Sequence, residues 1–140
     1  MFSHRASHWS NRIVARRHAP VLRILLVDDY EPGAEAVTAA LLADGYEVRC
    51  VFSGRTALEL VDKWVPDIAV LDINMPEMDG LELAFRLRQR LATHDIGMIA
   101  FTALDESAVR ASNFAASFDA YCQKAGSPAM LLSIIMRMLR

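Results

Sequence analysis

ILLVDDYEPG, residues 24–33, sets four apolar residues directly against two adjacent aspartates, followed by a proline and a glycine. Reading outward, Val21 to Val27 is a nearly continuous apolar run broken only by Arg23. That is the pattern of a strand covered on both faces, which belongs to parallel sheets. Pro32 suits the first turn of a helix, Val37, Ala40 and Leu41 recur at helical spacing, and Gly45 closes it. The unit is strand then helix, and its strand ends on like charges.

The unit repeats along the chain. YEVRCVF (46–52) alternates as a strand, and Ser53 can cap a helix carrying Ala57, Val61 and Trp64 on one face until Pro66 stops it. DIAVLD (67–72) is a third strand, and Gly80 precedes a helix with Leu83, Leu87 and Leu91 in register. GMIAF (97–101) is a fourth strand, followed by an Ala-rich helix over 106–116, and DAYCQ (119–123) a fifth, followed by a helix over 127–139. Such alternation implies right-handed crossovers and helices on both faces of a parallel sheet. The expected fold is α/β: a flavodoxin-like, doubly wound, five-stranded parallel sheet in the order 2-1-3-4-5.

The 140 residues fit one domain, and 54% hydrophobic residues with a mean hydropathy of +0.21 mark a chain that can bury a core. The net charge of −2 hides an asymmetry: four of the 15 basic residues and no acid lie in residues 1–20, leaving 11 against 17 acidic residues. Residues 1–20 therefore read as a flexible basic extension and 21–140 as the domain. The two cysteines, Cys50 and Cys122, have no metal-binding spacing and no partners for a disulfide framework, which fits a reducing, cytoplasmic compartment. No run approaches the roughly 18 apolar residues of a membrane span.

Ligands of such sheets bind beyond the carboxyl ends of the strands, where the strand order reverses. The first strand ends at Asp28-Asp29, the third at Asp72 and the fourth at Phe101-Thr102, while the fifth runs through Tyr121 to Lys124. Each has an ordinary alternative: the aspartates can favour a helix N-terminus or a turn, and a lone threonine or lysine is commonly structural or solvated. Their joint arrival at one sheet edge carries the inference. Clustered carboxylates repel one another, which raises their pKa values or calls for a cation. Magnesium prefers oxygen ligands and takes one or two carboxylates, several waters and a phosphate oxygen, whereas no Cys or His stands near to favour zinc. A carboxylate beside such an ion can act as a nucleophile toward phosphorus, with Lys124 and Thr102 supplying charge and a hydroxyl.

The chain resembles the receiver domain of two-component response regulators, on the strength of LLVDDYEP (25–32), VLDINMPEMDG (70–80), FTA (101–103) and YCQK (121–124). The resemblance implies that Asp72 is the phosphoacceptor, that Asp29 and Asp72 bind Mg²⁺ directly and Asp28 through water, and that Asn74 adds its backbone carbonyl. Thr102 would be the switch hydroxyl, Tyr121 the switch aromatic that turns inward, and Lys124 the phosphate-binding lysine. A histidine kinase or phosphotransfer protein would donate the phosphoryl group, and the chain would catalyse only its own modification. Output would pass to an output protein or a second copy through the fourth helix, fifth strand and fifth helix, without direct nucleic-acid or membrane binding.

Departures from the family are Ala125 where proline usually follows the lysine, Ser117 where glycine usually turns the chain, and the apolar Leu104 two residues after Thr102. On the same architecture a Mg²⁺-dependent phosphohydrolase is the alternative, but Asn74 stands where such enzymes need a second acid and no insertion could form a cap. The fifth helix carries an apolar arc of about 240° at 100° per residue, against the roughly 100° stripe a surface helix needs. Leu132 and Met136 are therefore interface candidates.

Overall fold

Period-two alternation within buried strands divides the protein into two cores. The computed structural model describes residues 5–17, 20–124 and 127–139. Its strands are β1 (Ala6–His8), β2 (Arg23–Val27), β3 (Glu47–Val51), β4 (Ile68–Leu71), β5 (Gly97–Thr102) and β6 (Ala120–Gln123). The helices are α1 (Glu31–Ala43), α2 (Gly54–Val61), α3 (Gly80–Arg88), α4 (Glu106–Arg110) and α5 (Ala129–Met138). On one face, Leu25, Val27, Ala69 and Leu71 pack with Val61, Leu83 and Leu87 of α2 and α3. On the other, Ile24, Leu26, Ile68 and Val70 pack with Leu41 of α1 and Ile134 and Ile135 of α5. Each of the valine, leucine and isoleucine side chains contributes about 1.5–3 kcal/mol by leaving water, so a strand slipped by one residue would lose both cores together.

The sheet order is β1-β6-β5-β4-β2-β3. From β3 to β6 the pairings are parallel, in the order expected from the alternation of elements. Ligation-competent strand ends therefore line up at the reversal between β2 and β4. Cys50 and Cys122 are free thiols on β3 and β6. Four strand spacings of about 4.8 Å separate those strands, well beyond the roughly 7 Å span of a disulfide. Non-reducing peptide mapping of native monomer should accordingly find no bond between them; finding one would contradict the strand order.

Four features depart from the sequence reading. The segment expected to be a flexible extension supplies β1, which pairs antiparallel with β6 and makes the sheet six-stranded and mixed. Its edge hydrogen bonds and the buried Ala6 and Val14 repay the cost of ordering it. The helix expected over 106–116 ends at Arg110; Ser112 turns its hydroxyl back to the Ala108 carbonyl, and Phe114 adopts φ 70°. That positive φ, rather than Ser117, makes the turn before β6, with Ser117 closing a 3₁₀ turn. Leu91 falls beyond α3 and is 90% exposed.

The fourth departure concerns the broad apolar arc of α5. Ala6 and Val14 of the N-terminal segment share its buried cluster, and the Val14 N–H donates to the Met138 carbonyl at 2.8 Å. Much of the surplus arc is thus covered within the chain. Leu132 is half-buried and Met136 remains 64% exposed. Among the described residues, no helix is long and apolar enough to cross a membrane.

Candidate phosphoacceptor site

Four strand ends, those of β2, β4, β5 and β6, bring the polar residues together. Asp28 follows β2, and its backbone N–H donates to Val51 of β3, which fixes the turn that aims its side chain. Its Oδ1 accepts from the Tyr30 N–H at 3.0 Å. Asp72 follows β4 and donates its N–H to the Val27 carbonyl at 2.9 Å, tying the two acidic strand ends to each other. The turn after Asp72 returns so closely that a Cβ on Gly80 would stand 2.0 Å from the Asp72 carbonyl oxygen. Only glycine permits that approach, which explains the residue pair Asp79-Gly80: Asp79 caps α3 through the Glu82 N–H, and Gly80 packs under Asp72.

Asp28, Asp29 and Asp72 each present a carboxylate oxygen, all within 4.8 Å of one another. Asp28 and Asp72 are buried, whereas Asp29 is exposed. Lys124, just past β6, donates from Nζ to Asp28 Oδ2 at 2.6 Å and to Asp72 Oδ2 at 3.1 Å. Burial pushes the Asp72 carboxyl above its ordinary value; Lys124 and the Ile73 N–H oppose the shift and Asp28 adds to it. Burial pulls Lys124 down, but the two carboxylates outweigh it and hold the ammonium above its usual value. One cation thus serves two buried anions while a third carboxylate faces water. An all-oxygen trio at this spacing suits a hard divalent cation.

Thr102 ends β5 with its side chain buried, its Oγ1 accepting from the Leu104 N–H at 3.3 Å and its carbonyl accepting from the Lys124 N–H at 2.8 Å. That arrangement leaves the hydroxyl's own proton for another acceptor. Tyr121 is fully buried and donates its hydroxyl to the Leu104 carbonyl at 2.5 Å. Burial, with the charges of Asp105 and Glu106, pushes that phenol up to about 12, so it stays a donor at neutral pH. The side chain expected to turn inward already lies inside. Asn74 is exposed in the loop between Asp72 and α3. Ala125 lies outside the described residues, so the structure does not describe the bond following Lys124.

Several residues that shape this end of the molecule escaped the sequence reading. Trp9 stacks on Tyr121 with ring centroids 6.1 Å apart and an interplanar angle of 1°. Asp119 anchors Arg12, Arg88 and the Met98 N–H. The signals were an isolated tryptophan within a polar segment and an acid placed just before an apolar strand, both too short to separate from chance.

A family profile described as response regulator receiver domain matches residues 24–136. The response regulator MprA of Mycolicibacterium vanbaalenii is 35% identical over 119 residues, covering 85% of this chain and 51% of that protein. The chain thus spans about half the length of that relative. Among solved structures, response regulator TrrA from Thermotoga maritima in complex with Mg²⁺ and beryllium fluoride matches with a TM-score of 0.77 at 30% identity, covering 85% of this chain and all of that one. TrrA in complex with histidine kinase ThkA matches with a TM-score of 0.77 at 29% identity, over 86% of this chain and 100% of TrrA.

Proposed function

Because this chain belongs to the response regulator receiver domain family, a signalling family of two-component phosphorelays, we propose that it accepts a phosphoryl group on Asp72 from a histidine kinase or phosphotransfer protein. The observation that carries the proposal is the convergence of Asp28, Asp29, Asp72 and Lys124 on one small volume at the sheet reversal. A neighbour of this fold is bound to a histidine kinase, which supports the donor. Another holds Mg²⁺ with beryllium fluoride, which supports the ion and a phosphoryl-like ligand.

In the proposed step a carboxylate oxygen of Asp72 attacks phosphorus as the bond to the donor imidazole nitrogen breaks, and the bonding pair leaves with the histidine. Lys124 moves from carboxylate partner to phosphoryl partner and neutralises the charge on the equatorial oxygens. Thr102 donates its free hydroxyl proton to one of those oxygens. Asp28, Asp29 and Asp72, with the Asn74 carbonyl, would hold Mg²⁺, whose contribution is to neutralise phosphoryl charge. The chemistry ends on the chain's own carboxylate. A phosphohydrolase on this architecture finds no support: the family and the matched relatives are signalling proteins.

The signal leaves, on this reading, through the face of α4, β6 and α5; of the two interface candidates on α5, Met136 is exposed beside Asp44, Gly45 and Tyr46 at the end of α1, and Leu132 is half-buried one turn before it. A cytoplasmic site of action follows from the donor class. The test is incubation with a panel of autophosphorylated histidine kinases and phosphotransfer proteins in Mg²⁺. At least one should lose its label to the wild-type chain, and that same donor should keep its label with Asp72→Asn. Equal transfer to both chains would move the acceptor elsewhere.

A further inference from the structure

The N-terminal segment is bound to the protein as a peptide is bound to a receptor. Residues Ala6, Ser7 and His8 pair with Cys122, Tyr121 and Ala120 along the free edge of β6, which is recognition by strand addition. Side chains then add specificity. The Trp9 Nε1 donates to Glu106 Oε2 at 2.7 Å, and Ser7 Oγ donates to the same oxygen at 2.5 Å. Arg110 pairs with Glu106 at 3.2 Å and sits 4.5 Å over the Trp9 ring, closing the indole between α4 and β6. Arg12 and Ser10 both reach Asp119 Oδ1, at 2.9 and 2.7 Å. Burial pushes the Glu106 carboxyl up, yet the bonds from Ser7, Trp9 and Arg110 outweigh it and hold it below its ordinary value.

This binding site touches the acidic cluster through successive contacts. Trp9 lies parallel to the ring of Tyr121 with centroids 6.1 Å apart, the Tyr121 hydroxyl donates to the Leu104 carbonyl, the Leu104 N–H donates to Thr102 Oγ1, and the Lys124 N–H donates to the Thr102 carbonyl. Trp9 packs against the buried cluster that holds Tyr121, so the buried ring and the loop arrangement it fixes gain apolar contact from a docked segment. That same arrangement leaves the Thr102 proton free for a group on Asp72.

We propose that the surface made by α4 and β6 is a strand-recognition site filled in cis by residues 6–12, and that its filling is positively coupled to occupation of the Asp72 site by a phosphoryl group. The inference rests on the reading of Asp72 given above. Coupling is reciprocal: what the segment does for the phosphoryl group, the phosphoryl group does for the segment. A partner that reads this face meets the docked segment as part of it, with Asn11 and Ile13 exposed, and a partner that adds its own strand to β6 must displace it.

The experiment uses the full chain with Mg²⁺ and beryllium fluoride as the phosphoryl mimic. Hydrogen exchange is followed in residues 6–12, and binding of the mimic is measured independently by fluorine NMR. In wild type, beryllium fluoride should slow exchange of this segment by about fivefold or more, the lower end of ordinary couplings. Trp9→Ala should abolish that slowing and weaken beryllium fluoride binding by the same factor. Glu106→Gln, which keeps its shape and loses its charge, should shift both quantities in the same direction by less. Protection of Leu25 to Val27 in every variant reports an intact core. Binding of the mimic with unchanged exchange in residues 6–12, or equal binding by wild type and Trp9→Ala, would overturn the coupling while leaving Asp72 as the site. No binding of the mimic at all would overturn both.

Discussion

Asp119→Ala should cost about 3 kcal/mol of folding stability, the lower end of the 3–5 kcal/mol expected when one partner of a buried ion pair is removed. Asp119 is buried just before β6, where Oδ2 accepts from Arg88 Nη2 and from the Met98 N–H, both at 2.9 Å. Removing the carboxylate leaves the Met98 N–H without that acceptor and a largely buried guanidinium without its counter-charge. Arg88 would keep the carbonyls of Ser117, His94 and Ile96, and this holds the cost at the low end. Urea unfolding should show a lower midpoint with an unchanged slope. Asp62→Ala is the contrast: its pair with Arg90 has the Asp62 side chain 63% exposed, and such pairs contribute about 0–1 kcal/mol. Equal effects of the two substitutions would mean that Asp119 does not anchor the fold. Arg12 and Ser10 lose their partner in the same variant, so the N-terminal segment should loosen with it.

Lys124→Met should slow phosphoryl uptake by roughly 10²-fold or more, the scale on which removing one preorganised stabilising donor acts. The substitution keeps length and apolar stem while deleting the charge that bridges Asp28 and Asp72. Two buried carboxylates would then face each other without a monovalent partner, and the Asp72 carboxyl, pushed up by burial and by Asp28, would lose the charge that opposes that shift. A divalent cation should accordingly raise the thermal midpoint of Lys124→Met more than that of wild type. Single-turnover rates with acetyl phosphate, alongside melting curves with and without Mg²⁺, measure both effects. An unchanged rate would remove Lys124 from the transfer step; a lost Mg²⁺ response would show that the carboxylates had collapsed.

Much of this architecture was legible because long-range order is written in short-range period. Apolar runs such as Ile24–Val27 and Ile68–Leu71 are buried on both faces, and that alone called for a parallel sheet. The acidic strand ends were legible for the opposite reason: charge next to a buried strand has to be explained by what it faces. The N-terminal segment was not legible. Three residues of strand carry too little periodicity to register, and their hydrogen bonds are made to an edge that only the folded sheet provides. The end of α4 was equally obscure, since Ala-rich composition favours helix, whereas Phe114 takes the αL conformation and stacks on Phe85, distant in sequence, at 4.3 Å between centroids. The full burial of Tyr121 was legible only as an expected inward turn; that Trp9 of the same unseen segment lies against it was not.

The central claim is that Asp72 is the chain's phosphoryl acceptor. Its most direct test is incubation of the full chain with acetyl phosphate and Mg²⁺, followed by intact-mass measurement and peptide mapping under conditions that preserve acyl phosphates. One phosphoryl group should be gained per chain, mapped to Asp72, dependent on Mg²⁺ and absent from Asp72→Asn. Gain of the same mass by Asp72→Asn, or mapping of the group to any other residue, would contradict the account.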